Sequence, residues 1–117
     1  KRLGFDADLV PDGSMIDDTR FQTTSSLAGI ELDNSFALAR QKSAACTLSG
    51  NGLTLSIYPD ASYPYLQIFT PPTRDSIAIE NLSGAPDCFN NGLGVIVLNA
   101  EEEAAFETRY HIAASRP

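Results

Sequence analysis

Apolar and polar residues alternate in short runs along most of the chain. Leu53-Thr54-Leu55-Ser56-Ile57-Tyr58 puts Leu53, Leu55 and Ile57 on one face, the pattern of a half-buried strand. Residues 65–70 (YLQIFT) and 76–80 (SIAIE) are two further β-rich runs. Residues 93–98 (LGVIVL) are apolar on both faces and predict a central strand. Residues 106–112 (FETRYHI) predict a last strand, with Phe106, Thr108, Tyr110 and Ile112 inward and Glu107, Arg109 and His111 outward. Residues 35–38 and 44–48 are expected to pair as a hairpin across 39–42. Residues 14–30 are polar and predict a long loop, with room for one short helical turn. Residues 101–105 (EEEAA) predict a loop with an exposed acidic tip, because they sit between two strands.

The punctuation is that of an antiparallel protein. Pro11-Asp12-Gly13, Ser49-Gly50-Asn51-Gly52, Pro59-Asp60, Pro71-Pro72 and Asn90-Asn91-Gly92 all carry turn chemistry. Turns recurring at roughly ten-residue intervals predict an all-β antiparallel sandwich or barrel. The 117 residues make one domain with a small core. No repeat or linker divides them.

Charge narrows the range of partners. Fifteen acidic residues against eight basic give a formal net charge of −7. Nucleic acid and anionic membrane surfaces both require basic patches, so neither is an expected partner. The two cysteines, Cys46 and Cys88, form no CxxC pair and no disulfide framework. They are expected to be reduced and partly buried. No apolar run approaches the length of a membrane span.

Among the carboxylates, Glu80 is the leading candidate for chemistry. It closes an apolar run, Ile77-Ala78-Ile79, and is followed at once by turn residues. A partly desolvated Glu is a competent general base near neutral pH, whereas a strand-end Glu bonded to nearby amides is inert. Asp33, within Leu32-Asp33-Asn34-Ser35-Phe36, is the second candidate, as a hydroxyl acceptor or as a turn residue. His111 is the single histidine and is expected on the solvated face of the last strand. Asp17-Asp18 and Glu101 to Glu103 lack the spacing of a calcium loop and are expected to be solvated. No metal or cofactor is expected. Asn81-Leu82-Ser83 matches a glycosylation pattern, a short match that overlaps the candidate site.

The stretch SIAIENLSGAPDCFNNG, residues 76–92, resembles the C-terminal signature of the aldose 1-epimerases, or galactose mutarotases. That signature is an apolar strand ending in Glu, a turn with Pro and Asp or Asn, then Phe-Asn and Gly. LDNSFAL at 32–38 resembles the family's Asp-containing strand. DADLVPDG at 6–13 is similar to the segment leading toward it, and LGVIVLNAEEEAAFETRYHI at 93–112 looks like its closing strands. Members of the family are more than twice as long, so the resemblance covers their C-terminal part.

The resemblance implies a galactose mutarotase-like supersandwich and the interconversion of α and β anomers of a hexose, of the galactose or glucose type. A base removes the proton of the anomeric hydroxyl while an acid protonates the ring oxygen; the ring opens and then closes on the other face. Glu80 matches the base and Asp33 the residue that binds sugar hydroxyls. The strand is expected to stop at Glu80 so that the carboxylate points into a cleft. The family's acid is a His in the N-terminal part, which has no counterpart here. The chain is therefore expected to lack its acid and to associate with that part or with a copy of itself, since its sheet edges and one apolar face would be uncovered. A non-catalytic carbohydrate-binding sandwich is the alternative. Tyr58, Tyr63, Tyr65 and Phe89 suit either sugar stacking or core packing. An enzyme of hexose phosphates would need a cation, for which Arg20 and Arg74 are available.

Overall fold

A computed structural model describes residues 1–39 and 43–114. Among these, eight antiparallel strands form two sheets, with one helical turn, α1 (Cys88–Asn91). The first sheet has five strands in the order β2-β1-β3-β6-β7. They are β1 (Arg2–Phe5), β2 (Pro11–Ile16), β3 (Asp33–Ala37), β6 (Tyr65–Phe69) and β7 (Ala78–Leu82). The second has three, in the order β4-β5-β8: β4 (Cys46–Gly50), β5 (Leu53–Pro59) and β8 (Thr108–Ala114). This is the all-β, sandwich-like fold that the turn spacing predicts.

The period-2 geometry of a strand sorts each sheet into two faces. Leu66 pairs with Phe36 on one side and Asn81 on the other, so these three share a face. Ile57 pairs with Cys46 and Tyr110, which share the corresponding face of the second sheet. Asn81 Nδ2 donates to the Tyr110 hydroxyl at 2.9 Å and joins the two faces. Leu66 and Ile57, at 3% and 1% exposure, fill the core between them. Asn81 is thus turned inward and is not presented for glycosylation.

The loop 17–32 lies over part of the inner face of the five-stranded sheet. Phe21 packs edge-on against Phe36, with centroids 6.2 Å apart. Asp18 is held between Arg2 Nε at 3.4 Å and Arg20 Nη2 at 2.6 Å. Its side chain is 4% exposed, so the expectation of a solvated Asp17-Asp18 pair is corrected for Asp18. The Arg20 hydrogen bond, helped by the charges of Arg20 and Arg2, holds the Asp18 carboxyl below its usual range against the opposing effect of burial.

Several other expectations are corrected. Residues 35–38 and 44–48 are not a hairpin: β3 and β4 lie in different sheets. Residues 40–42, across which they were to turn, lie outside the described residues. The run 93–98 is not a central strand. It pairs with nothing as a strand, and Val95, Ile96, Val97 and Leu98 are 37%, 48%, 78% and 50% exposed. Gly94 adopts φ +76°, which breaks the extended run. The last strand begins at Thr108, not Phe106; Tyr110 and Ile112 share the inner face with Ile57 and Leu55 as predicted, yet they and Phe106 are exposed. Pro11-Asp12-Gly13 lies in β2, not in a turn. The turn precedes it, closed by Asp6 Oδ1 accepting from the backbone N–H groups of Asp8 and Val10.

Other signals hold. Asn51 and Gly52 connect β4 and β5 with φ of 50° and 75°, the paired positive values of a type I′ hairpin turn. Glu101 to Glu103 are exposed, and Glu102 accepts from the Asn99 backbone and side-chain amides at 3.0 Å each. Cys46 and Cys88 are free and half-buried.

Candidate functional site

The register of the five-stranded sheet decides what its outer face presents. Gln67 in β6 stands directly opposite Ser35 in β3 and Glu80 in β7. Asp33 is two residues from Ser35 and therefore on the same face. The outer face thus carries a polar patch of Asp33, Ser35, Gln67 and Glu80 across three neighbouring strands.

Hydrogen bonds fix this patch. The Ser35 hydroxyl, fully buried at 0% exposure, donates to Gln67 Oε1. The Gln67 amide, so oriented, donates from Nε2 to Asp33 Oδ1 at 2.9 Å. Gln67 engages one oxygen of Asp33 and faces Glu80 across the strand. Asp33 and Glu80 lie two inter-strand steps apart and two residues out of register, about 12 Å between their backbones.

An open cleft of about 490 Å3 lies over the patch. Its walls are apolar on the far sides: Phe5 and Leu9 from the first hairpin, and Leu82, Ala85 and Pro86 from the segment after Glu80. Apolar walls with a few convergent polar groups are the composition of a small-molecule site, here in an open rather than an enclosed form.

Glu80 is not as the sequence predicts. It is exposed, so the expectation of a partly desolvated carboxylate is not met. Nor does the strand stop there, since β7 runs on to Leu82. The carboxylate reaches the cleft because of its register, which puts it on the outer face beside Gln67.

The turn after β7 builds one wall. Gly84 and Gly94 pass so closely that a Cβ on Gly94 would lie 3.1 Å from the Gly84 Cα and 2.9 Å from Tyr65 Cε2. The Ala85 N–H donates to the Leu93 carbonyl at 2.9 Å. Inside the turn, Asn90 Nδ2 donates to Asp87 Oδ1 at 2.7 Å and Asn91 Nδ2 to the Pro86 carbonyl at 2.9 Å. The Asp, Asn and Gly residues of the stretch therefore tie the turn to itself and set Ala85 and Pro86 against the cleft.

Gln67, Ser35 and Phe5 carry no site motif of their own in the sequence. Alternation does place Gln67 on one face with Tyr65 and Phe69, and a Gln in the middle of a β-rich run was the available signal. Of the aromatics considered for stacking, none lines this cleft. Phe89 is 93% exposed, Tyr63 packs on Phe106, and Tyr58 lies under the Arg109 guanidinium at 4.1 Å. His111 is exposed in β8, in the other sheet. Among the described residues, no three His, Cys, Asp or Glu side chains converge as a metal site requires.

Comparison with known proteins adds no relative: no family model, no curated protein and no solved structure matches the chain.

Proposed function

We propose that the cleft binds the ring of a hexose, and that the chain is the C-terminal part of an aldose 1-epimerase-like enzyme. One relationship carries the proposal. Asp33 and Glu80, the two residues that the resemblance pairs, stand on one sheet face with the Gln67 amide between them, over an open cleft with apolar walls. Such a surface suits a sugar, which needs acceptors for its hydroxyls and an apolar wall for its C–H groups. In this reading Asp33 accepts from ring hydroxyls. Glu80 takes the proton of the anomeric hydroxyl, and an acid from the N-terminal part protonates the ring oxygen as the C–O bond opens. The exposed apolar run Val95–Leu98, with Tyr110 and Ile112, supports a covering partner of this kind.

A second reading has a specific observation in its favour. Glu80 is exposed, which suits a group that holds a hydroxyl more than one that transfers a proton. In that reading the chain is a carbohydrate-binding module without catalysis. A hexose phosphate is disfavoured. Arg20 is engaged by Asp18, and Arg74 donates to the carbonyls of Ile30 and Leu27 at 2.6 and 2.7 Å.

The test is a titration of the chain with galactose and with glucose, followed by NMR. Shift changes around Gln67 that are weakened by Asp33→Asn and Glu80→Gln support the cleft. Absence of binding by either sugar overturns it. Polarimetric mutarotation by the complete protein then separates the two readings. The enzyme reading expects Glu80→Gln to slow the reaction by about 100-fold or more. The binding-module reading expects no acceleration to lose.

A further inference from the structure

We infer that the cleft continues past Asp33 into a second sugar subsite, so that the ligand is a neutral oligosaccharide with one ring at Glu80 and the next over Phe69. The inference rests on the carbohydrate reading of the first cleft and names its substrate class.

A second cleft of about 420 Å3 adjoins the first, and Asp33 lines both. Its other walls are Glu31, Leu32, Asn34, Phe69, Thr70 and Pro72. Register explains the continuity. Phe69 pairs with Asp33 and lies two residues along β6 from Gln67, so it shares their face, displaced by about 7 Å. The outer face therefore runs from Glu80 across Gln67 and Asp33 to Phe69.

Phe69 is 38% exposed at the end of a strand whose neighbouring Leu66 is in the core. An aromatic ring left open beside a carboxylate and an amide offers a π-face for the C–H side of a sugar ring. Glu31 and Asp33 supply hydroxyl partners beside it. The wall is fixed rather than loose. Arg74 holds the Leu27 and Ile30 carbonyls just before Glu31, and the Leu32 N–H donates to Thr70 Oγ1 at 2.8 Å. Neither cleft is lined by a cation, and three of the lining residues, Glu31, Asp33 and Glu80, are carboxylates, which selects against phosphorylated or acidic sugars. Asp33, at the junction, is placed to accept from hydroxyls of both rings.

The test titrates the chain with glucose, maltose and cellobiose by NMR and calorimetry. At least one disaccharide is expected to bind about tenfold tighter than glucose, with shift changes spreading from Gln67 to Phe69 and Thr70. Phe69→Ala is expected to close the gap between disaccharide and monosaccharide. Phe69→Leu keeps the apolar volume without the π-face and is expected to close most of it. Equal affinity for glucose and both disaccharides, still weakened by Asp33→Asn, overturns the second subsite and leaves the first intact. Failure of all three sugars, and of galactose, to bind overturns both.

Discussion

Gln67 donates to Asp33 Oδ1 at 2.9 Å from a strand position directly opposite Glu80. The same amide accepts from the buried Ser35 hydroxyl on the same face, so its orientation is set by one neighbour and used on another. Replacing Gln67 therefore has two consequences that can be measured separately. Gln67→Leu leaves Ser35 buried without its acceptor, at a cost of about 1–3 kcal/mol in urea unfolding. The double variant Gln67→Leu with Ser35→Ala removes both partners and is expected to recover much of that stability. It is not expected to recover sugar affinity, because Asp33 remains unsupported.

The close pass of Gly84 and Gly94 gives a second prediction. Gly94→Ala must place a Cβ 2.9 Å from Tyr65 Cε2 and 3.1 Å from the Gly84 Cα, at φ +76°. The crowding and the left-handed backbone together are expected to cost about 2–3 kcal/mol. Thermal unfolding measures this. Gly13 also has positive φ but no atoms near its missing Cβ. Gly13→Ala is expected to cost about 1 kcal/mol, and similar losses at the two sites would deny the close pass its structural role.

Acid should loosen the loop 17–32 through Asp18. Its folded-state pKa is lowered, first by the Arg20 hydrogen bond. A lowered carboxylate contributes stability that is present above the unfolded value, about pH 4, and lost as pH falls through the folded value. The urea midpoint is expected to drop between pH 5 and pH 3, and Asp18→Asn to flatten part of that slope. At pH 7 the same substitution is expected to cost roughly 1 kcal/mol, since Arg2 and Arg20 are partly solvated. An unchanged slope in the variant would remove Asp18 from the account.

Val97 offers the opposite kind of substitution. At 78% exposure it contributes little to the fold of the chain itself. Val97→Asp is expected to change stability by less than about 0.5 kcal/mol. If a partner covers this run, the same change lowers association, read by light scattering or by mixing with the N-terminal part. A large loss of stability would mean that the run packs within the chain after all.

Strands whose signal is local were legible in the sequence. Residues 53–58 alternate and are bounded by Asn51-Gly52 and Pro59-Asp60, and β5 occupies Leu53–Pro59. Strands β6 and β7 are similar, and the two candidate carboxylates come to one face because their register is set by those runs. The failures have non-local causes. Pro11 reads as a turn residue, but β2 is an edge strand, and a proline opening an edge strand breaks no ladder. Residues 93–98 have the composition of a buried strand, yet hydrophobicity does not supply a pairing partner. Strands β3 and β4 are near in sequence but diverge into different sheets, which no alternation pattern records. Gln67 was invisible as a site residue because its role depends on what stands opposite it.

The strand order carries a consequence for how the chain is made. Every strand of the five-stranded sheet is complete once Leu82 has left the ribosome, whereas β5 must wait for β8, about fifty residues later in the sequence, before its second edge is paired. Vectorial synthesis therefore assembles the face bearing Asp33, Gln67 and Glu80 while the opposing layer is still a two-stranded hairpin, which has little stability of its own. A nascent chain arrested beyond Leu82 would already hold the polar patch, and its inner face would be the surface a chaperone meets.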